Sequence, residues 1–267
     1  MIKVVFNQKG GVGKSTITSN LAAVGAKRGR RTLVVDLDPQ ANSTRYLLGA
    51  EMADALPESG GVAGFFDQSL SFSLRNGVEE FVTASPFENL DVLPAHARLA
   101  ELHSKLEARY KIYKLRKGLD PLAETYRDIW IDTPPTLNFY TRSALISAHG
   151  CLIPFDCDDF ARRSLYGLLE EVEDLRTDHN PDLKVLGVVV NQFQSRARLP
   201  GELVRELREE GLPVLEPFLS STVKVRESHQ ASRPMVHHDP AHKLSQEFEA
   251  LFDTVLKVSG DRRGNRR

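Results

Sequence analysis

The stretch "IKVVFNQKGGVGKST" (2–16) runs from an apolar segment into a glycine-rich turn and then into a helical pattern. The usual phosphate-binding loop reads Gly, four residues, then Gly-Lys-Ser/Thr. Here Gln8 stands in place of the first Gly, and Lys9 follows it directly. A turn between a strand and a helix N-terminus lets successive backbone N–H groups point at phosphate oxygens. The stretch therefore predicts a phosphate site in an α/β fold.

Short runs rich in β-branched residues alternate with amphipathic helical patterns along the rest of the chain. The runs lie at 2–7, 32–38, 90–95, 128–135, 150–156, 184–193 and 212–219. The helical patterns include 15–28, 98–109, 113–126, 162–177 and 201–210. Apolar runs without a polar face are typical of parallel strands buried on both sides. This order predicts an α/β fold with a doubly wound, mostly parallel sheet flanked by helices on both faces, as in P-loop NTPases.

The chain of 267 residues is interpreted as one nucleotide-binding domain over 1–258 and a disordered basic tail over 259–267. The segment 49–80 has weak periodicity and much Gly, Pro and Ser, so we expect a surface excursion there. A pair of adjacent histidines, His237 and His238, lacks the further spaced ligands that a metal site needs and is interpreted as part of a loop.

Charge and cysteine content exclude some classes of protein. A formal net charge of -1 and a pI near 6.7 argue against a protein that coats nucleic acid by bulk charge, so any such surface must be regional. Cys151 and Cys157 lie in or beside an apolar run and are expected to be reduced thiols in a cytoplasmic protein. No apolar stretch of the sequence approaches the ~20 residues that span a bilayer.

The residues of the glycine-rich turn have distinct expected roles. Its glycines let the backbone wrap closely around phosphates without Cβ clashes. Lys14 is expected to reach the β- and γ-phosphates, the Ser15 hydroxyl to bind Mg²⁺, and Thr16 to bond a phosphate oxygen. The predicted nucleotide-binding residues of the turn are Lys9, Gly10, Gly11, Val12, Gly13, Lys14, Ser15 and Thr16. The alternative is a glycine-rich turn that holds no ligand.

Lys9 is the informative departure from the usual loop. Lys14 already serves the terminal phosphates, so a second ammonium in the loop is available for another task. If two subunits faced each other across their nucleotides, each Lys9 could reach the partner's phosphates and stabilise the charge that develops during phosphoryl transfer. A solvated lysine beside the site is the other interpretation, and the residues alone do not separate the two.

Several segments together resemble one family. The stretch "KGGVGKST" (9–16) resembles the deviant phosphate loop of the ParA/MinD superfamily of P-loop ATPases, and "VVDLDPQANST" (34–44) resembles that family's switch I. The stretch "IDTPPTLNFYTRSAL" (131–145) resembles its Walker B segment and switch II, and "ENLDVLPA" (88–95) a strand of ParA proteins. Their order over 1–258 follows the ParA-type partition ATPases. The resemblance implies ATP and Mg²⁺ as cofactors, an ATP sandwich homodimer, and Lys9 acting in trans.

Three carboxylates follow apolar strands and are candidates for the chemistry. Asp132 ends a strand where it can hold a Mg²⁺-bound water, although a helix-capping role would also suit it. Asp36 and Asp38 flank Leu37 at the end of a strand and are expected to have different roles. By resemblance Asp38 orients the attacking water and Asp36 lies near the Mg²⁺ shell. The alternative is that either one caps the turn at Pro39. The predicted catalytic residues are Lys9, Lys14 and Asp38, and the predicted metal residues are Ser15, Asp36 and Asp132.

Asn191 ends the apolar run at 184–193. By resemblance its position contacts adenine, since a side-chain amide offers both a donor and an acceptor to the base. An asparagine at the end of a strand is also a common turn residue, which is the alternative interpretation.

The resemblance places nonspecific DNA contacts in the C-terminal part of the chain, through basic residues that meet phosphates. The predicted DNA-binding residues are Arg196, Lys224 and Arg226, with Arg198 and Arg233 as neighbouring candidates. Many relatives carry Ile-Pro-Arg just before the second basic position, whereas this chain has Leu219, Ser220 and Ser221. Without the resemblance, these arginines and lysines would be interpreted as solvated surface residues.

The last helical pattern, about 242–258, has one apolar stripe. A membrane-binding relative would lay such a helix on lipid, but the stripe is expected to pack on the sheet, with Glu247, Glu249 and Asp253 on the polar face. Membrane binding is therefore not expected.

The resemblance implies a Mg²⁺-dependent ATP hydrolase whose weak intrinsic activity serves as a molecular switch. ATP drives dimerisation and the dimer binds DNA nonspecifically. A ParB-like or cargo adaptor protein stimulates hydrolysis and release, so that DNA or a protein cargo is segregated or positioned. The protein is expected in the cytoplasm, associated with the nucleoid. Two alternatives stay open: a MinD-like membrane-associated ATPase regulating division or flagellar placement, and a metabolic P-loop enzyme such as a dethiobiotin synthetase-like ligase.

Overall fold

The computed structural model describes residues 1–70, 77–157, 161–194 and 197–261. Within these residues, eight strands form one sheet. The strands are β1 (Ile2–Val5), β2 (Thr32–Asp36), β3 (Thr83–Ala84), β4 (Leu90–Leu93), β5 (Asp128–Asp132), β6 (Gly150–Asp156), β7 (Lys184–Asn191) and β8 (Val214–Leu215).

Helices connect the strands and cover both faces of the sheet. In the first half of the described chain they are α1 (Lys14–Lys27), α2 (Asn42–Leu48), α3 (Ala50–Asp54), α4 (Gly61–Asp67), α5 (Leu99–Ala108) and α6 (Lys114–Leu122). In the second half they are α7 (Phe139–Ser147), α8 (Ala161–His179), α9 (Arg198–Glu209), α10 (Lys224–Gln230), α11 (Met235–His238) and α12 (Lys243–Val258). Short 3₁₀ turns lie at Gln68–Leu70 and Val78–Phe81.

The strand order is β3-β4-β2-β5-β1-β6-β7-β8, and every pairing is parallel except that of β3 with β4. The central strand β1 lies between β5 and β6, so the loop that leaves it opens at the carboxyl edge of the sheet, where ligands of such folds bind. Asp36 at the end of β2 is level with Asp132 at the end of β5. The topology therefore brings the phosphate loop and these carboxylates to one edge.

Alternate residues of each central strand face opposite layers of the core. Leu33 and Val35 belong to the cluster under α4 to α9, whereas Val34 between them belongs to the cluster under α1, α2, α11 and α12. Because both faces are covered by helices, the strands carry apolar residues at successive positions. The predicted doubly wound, mostly parallel α/β sheet is confirmed, as is each of the predicted strands. The two-residue antiparallel edge strand β3 was not predicted.

The segment 49–80 is not only a surface excursion, so that prediction was wrong in part. Within it, α4 buries Phe65 and Phe66 in the main core. The glycines that suggested a loop are there for close packing: a Cβ on Gly64 would lie 1.8 Å from the carbonyl oxygen of Ser59. Glycine was therefore a misleading signal of exposed turn structure here.

The stripe of α12 packs on the sheet as expected, with Leu244, Phe248 and Phe252 buried against α1 and the strands. Glu247 was wrongly placed on the polar face: it is 9% exposed, and its carboxylate accepts hydrogen bonds from Ser220 N–H (2.8 Å) and Oγ (2.6 Å). Beyond the boundary predicted at 258, Asp261 pairs with Arg30. Residues 262–267 of the predicted tail lie outside the described residues.

Candidate functional site

The phosphate loop joins β1 to α1 with two glycines in the left-handed region, Gly11 (φ 78°) and Gly13 (φ 92°). A Cβ on Gly13 would lie 2.2 Å from Nδ2 of Asn191. That amide nitrogen also donates a 2.9 Å hydrogen bond to the carbonyl oxygen of Val12. The end of β7 thus packs directly against the loop, and only glycine suits position 13, for both its φ and its space.

The two lysines of the loop have different surroundings. Lys14 is 7% exposed, and its Nζ donates a 3.0 Å hydrogen bond to the carbonyl oxygen of Lys9. Burial lowers the pKa of Lys14, while Asp132 and Asp38 act in the opposite direction. The side chain of Lys9 is exposed, and its backbone N–H donates to Oδ1 of Asn7 at 2.8 Å. The ammonium of Lys14 is therefore turned into the loop, whereas Lys9 is an exposed residue.

Asp132 is fully buried beside the start of α1. Its Oδ2 accepts a 2.8 Å hydrogen bond from the Ser43 hydroxyl, and the Ser15 hydroxyl also donates to its carboxylate. Burial raises the pKa of Asp132. The carboxylate thus faces the hydroxyl predicted to bind a metal, rather than capping α7, whose N-cap is Asn138.

Asp36 and Asp38 have different surroundings, because β2 ends at Asp36 and Asp38 lies in the loop that follows it. Asp36 is fully buried, and its Oδ2 accepts hydrogen bonds from the N–H (2.9 Å) and hydroxyl (2.8 Å) of Thr44. Burial and the neighbouring Asp132 raise the pKa of Asp36. Asp38 instead lines a cavity of about 330 Å³ with the phosphate loop. Asp36 therefore holds the turn that presents Asp38.

A second cavity of about 490 Å³ adjoins the phosphate loop on the side of β7 and α12. Asn191, Val223 and Phe248 line it, together with Gly11 and Gly13 of the loop. A polar side-chain amide, an exposed valine and an aromatic ring give this cavity the mixed lining of a nucleoside pocket. The contact of Asn191 with adenine stays a prediction.

The oxygen donors at the loop fit a magnesium ion. Mg²⁺ is usually held by one or two carboxylates or hydroxyls together with substrate phosphates and water, rather than by an all-protein cage. The described residues contain no group of three or more His, Cys, Asp or Glu side chains that could hold a metal. The Ser15 hydroxyl and the Asp132 carboxylate are hydrogen-bonded to each other, and this pair of oxygen donors is of the partial kind that would hold Mg²⁺ together with a nucleotide.

The predicted DNA-binding residues are not gathered into one observed surface. Arg196 lies outside the described residues. Lys224 begins α10 and pairs with Glu227 at 2.7 Å, while Arg226 lines the 490 Å³ cavity. Arg198 is 89% exposed and pairs with Glu202 at 2.6 Å. Two of these cations thus have an acidic partner on their own helix, which reduces the net positive charge they present.

Three residues that contact the site were missed from sequence. Ser43 and Thr44 bind the two buried carboxylates, and both lie in the "PQANST" stretch, where hydroxyls close to an aspartate pair were an available signal. His229 lies at the phosphate cavity, and its Nε2 shares a 3.0 Å hydrogen bond with the Thr16 hydroxyl. No local pattern indicated His229, because 213 positions separate it from Thr16.

The fold and site define a P-loop nucleotide-binding protein, and comparisons with known proteins agree. The family model of the AAA domain matches residues 1–185. The chromosome partitioning protein ParA of Myxococcus xanthus is 31% identical over 255 residues, covering 95% of this chain and 87% of that protein. The sporulation initiation inhibitor protein Soj of Bacillus subtilis is 31% identical over 264 residues, covering 97% of this chain and 98% of that protein. The chain belongs to the family of ParA-type partition ATPases.

A similar solved structure carries ligands. The cobyrinic acid a,c-diamide synthase of Mycobacterium smegmatis, with bound ADP and magnesium, is 27% identical and superimposes with a TM-score of 0.82, covering 98% of this chain and 96% of that chain. Its ligands agree with the expected cofactors, ATP and Mg²⁺. Within the described residues, no helix is long and apolar enough to cross a membrane.

Proposed function

We propose that this protein is a ParA-like ATPase that dimerises on ATP, binds DNA without sequence preference, and is released when a partner stimulates hydrolysis. Cycles of this kind segregate DNA or position a protein cargo. The two lysines of the phosphate loop carry the proposal. Lys14 is buried and faces its own loop, whereas Lys9 lies on the surface, where a second subunit could contact it.

The described side chains supply the parts that phosphoryl transfer requires. ATP would lie with its phosphates on the loop and Lys14, and its base in the 490 Å³ cavity beside Asn191. Mg²⁺, when held by Ser15 and Asp132, would offset the charge of the phosphate oxygens. Asp38 faces the same cavity as the loop, so its carboxylate can orient a water for attack on the terminal phosphate.

In a dimer with the two nucleotides between the subunits, Lys9 would add a cation to the partner's terminal phosphate. Such a charge stabilises the transition state more than the ground state, because negative charge shifts toward the phosphate oxygens during transfer. Weak hydrolysis by a single subunit and faster hydrolysis by a dimer follow from this arrangement. Hydrolysis of the nucleotide then sets the lifetime of the dimer.

The proposed DNA contacts are Lys224 and Arg226 on α10, together with Arg196. Lys224 is 40% exposed at the start of α10, where it can reach phosphates once it leaves Glu227. Lys224 would give up its ion pair with Glu227 in order to contact DNA phosphates. Such an interaction is expected to be weak, salt-dependent and independent of sequence. A dimer would present two such faces, which raises the apparent affinity without new contacts.

Sedimentation with DNA of arbitrary sequence and with anionic vesicles, each with and without ATP and Mg²⁺, tests the proposal. We expect ATP-dependent binding to DNA and none to vesicles, since the apolar side of α12 is buried. Lys224→Ala should weaken DNA binding and reduce its salt dependence by about one phosphate contact. Lys257→Ala, an exposed lysine on α12, is the matched control. Binding to vesicles instead of DNA would favour the membrane-associated alternative.

The similarity to the M. smegmatis synthase also raises a metabolic function, in which ATP turnover would serve the synthesis of a small molecule. That function predicts ATP turnover that depends on an organic acceptor and is indifferent to DNA. Phosphate release measured with DNA and no acceptor separates the two, because the proposed switch needs only ATP, Mg²⁺, DNA and its partner.

A further inference from the structure

His229 connects the phosphate loop to α10, the helix that begins with Lys224. Its Nε2 lies 3.0 Å from Oγ1 of Thr16, the residue that follows Ser15 in the phosphate loop. His229 also lines the 330 Å³ cavity together with the loop and Asp38. The side chain therefore belongs to the phosphate site, although it comes from the far end of the chain.

Other contacts hold the imidazole in a fixed orientation. The ring stacks on Tyr46 with a centroid distance of 3.9 Å and an interplanar angle of 13°. The Tyr46 hydroxyl shares a 2.8 Å hydrogen bond with the hydroxyl of Ser228, the residue before His229. Tyr46 belongs to α2, which follows the turn that presents Asp38. Two successive residues of α10 are thus tied both to the loop and to the helix behind Asp38.

The Thr16 hydroxyl has one proton to donate, and a bound phosphate oxygen would compete for it. Burial lowers the pKa of His229, so a neutral ring can now accept that proton. When Thr16 donates to phosphate, its bond to His229 must be given up or reversed, with the ring nitrogen as donor. Either change alters the hydrogen bond that ties α10 to the phosphate loop. Lys224 lies five residues along the same short helix, roughly 7.5 Å away at 1.5 Å per residue.

We propose that His229 is a positioning residue that makes the placement of α10, and with it Lys224, depend on whether phosphate occupies the loop. The inference deepens the proposed function, on which it rests for the role of Lys224 in DNA binding. It gives that function a physical route from nucleotide to DNA: Thr16, His229, then α10. Tyr46 adds a second route, from the turn of Asp38 through Ser228.

Hydrogen–deuterium exchange of the peptide spanning 224–230, with and without ATP and Mg²⁺, tests this inference without DNA. The measurement uses the full chain carrying Asp38→Ala, so that ATP persists. We expect ATP to change exchange in this peptide about 5-fold or more, the low end of typical coupling between sites. His229→Phe, which keeps a ring to stack on Tyr46 but cannot bond Thr16, should remove most of that change. Protection of α1 by ATP should persist.

His229→Gln is the conservative variant, because its amide can reach Thr16, and it should keep the response of α10. If His229→Phe melts well below the parent, His229→Leu replaces it in the comparison with His229→Gln. The inference would be overturned if ATP left the exchange of the peptide 224–230 unchanged in the parent. It would also be overturned if a folded His229→Phe or His229→Leu variant showed the same change in exchange as the parent. A DNA assay on the same variants is read separately. If α10 responds through His229 and DNA is still not bound, the inference stands and the proposed DNA function fails.

Discussion

The ammonium of Lys14 donates its hydrogen bond to the carbonyl oxygen of Lys9, 3.0 Å away, so the backbone of one lysine anchors the side chain of the other. This contact turns Lys14 inward while Lys9 stays exposed at the edge of the loop. Two lysines in one phosphate loop are therefore not redundant. Each can be removed separately, with different expected results.

A mixing experiment identifies the subunit on which Lys9 acts. Lys9→Ala and Asp38→Ala should each hydrolyse ATP at least ~100-fold more slowly than the parent. In a mixed dimer, one site would combine Asp38 of the first variant with Lys9 of the second. If subunits exchange freely, half of the dimers in an equal mixture contain one subunit of each variant, and each of these has one complete site out of two. The mixture should therefore recover roughly a quarter of the parent's phosphate release.

An inactive mixture would contradict action in trans and leave Lys9 acting within its own subunit, whereas a Lys9→Ala variant that hydrolyses at the parent rate would make Lys9 a solvated residue. Lys27→Ala, an exposed lysine on α1 paired with Glu249, is the control and should hydrolyse at the parent rate alone and in mixtures.

Asp38→Ala should abolish hydrolysis and spare the ATP-dependent dimer. The carboxylate lines the 330 Å³ cavity and accepts a 3.0 Å hydrogen bond from the Gln40 N–H, whereas the phosphate loop is held by Asn191 and Asp36 by Thr44. We expect phosphate release to fall about 10²–10⁴-fold, the usual contribution of a group that orients or deprotonates a nucleophile. Sedimentation velocity with ATP should still show the dimer. Hydrolysis at the parent rate would remove Asp38 from the mechanism. Asp54→Ala, at an exposed partner of Arg45, is the control.

Gly13→Ala should impair both folding and nucleotide binding. The backbone at position 13 has φ 92°, and the new Cβ would meet Asn191 Nδ2 at 2.2 Å. We expect a loss of about 1–3 kcal/mol in the free energy of unfolding, as for other strained backbones, and at least tenfold weaker binding of a fluorescent ATP analogue. Adding Asn191→Ala should relieve the clash but not the strain at φ.

Gly167→Ala is the matched control for that substitution. It lies within α8, where nothing approaches an added Cβ within 4 Å, so stability should be unchanged or rise by up to ~1 kcal/mol. A Gly13→Ala variant as stable and as tight-binding as this control would disprove the steric account of the loop.

A buried ion pair below the site predicts a dependence of stability on pH. Lys3 and Asp128 are both fully buried, 2.5 Å apart, and Arg30 also contacts Asp128. Burial alone would raise the pKa of Asp128, but Lys3 and Arg30 hold it below its ordinary value. Burial also lowers the pKa of Lys3 despite Asp128, so the ammonium is costly without its partner. Asp128→Asn should therefore lower the free energy of unfolding by about 3–5 kcal/mol at pH 7.

The sign of the pH effect follows from the lowered pKa of Asp128. The contribution of Asp128 to the free energy of unfolding is present above its pKa in the unfolded chain, about 3.9. This contribution is lost as the pH falls through the lowered pKa in the folded protein. Urea unfolding at pH 7 and at pH 3 should show the gap between parent and Asp128→Asn narrowing in acid. A constant gap would mean that the charge of Asp128 is unimportant. Asp253→Asn, at an exposed pair with Arg28, should cost less than ~1 kcal/mol at either pH.

The strands were predictable from sequence because buried parallel strands are continuous apolar runs. The run at 184–193 corresponds to β7 (Lys184–Asn191), and its last residue contacts the loop. Short or interrupted elements escaped the same reasoning. The strand β3 has two residues, and α4 carries glycines that sequence reasoning interpreted as turn signals.

The candidate site was predictable only where its residues are local in sequence. The loop and the carboxylates that end β2 and β5 follow directly from strand ends. His229 could not be inferred, because its position beside Thr16 depends on how α10 returns across the sheet edge. Glu247 shows the same limit: a charged residue on a helix was expected in solvent, yet the tertiary fold buries it and gives it a partner in Ser220.

The placement of α12 restricts how this chain could be adapted to a lipid surface. Leu244 and Phe248 line the 490 Å³ cavity, and Phe252 lies against Trp130 of the central sheet. Moving this helix onto a bilayer would open this cavity to solvent and expose the tryptophan beneath the helix. A peripheral anchor would have to be made of other residues, because α12 already forms one wall of this cavity.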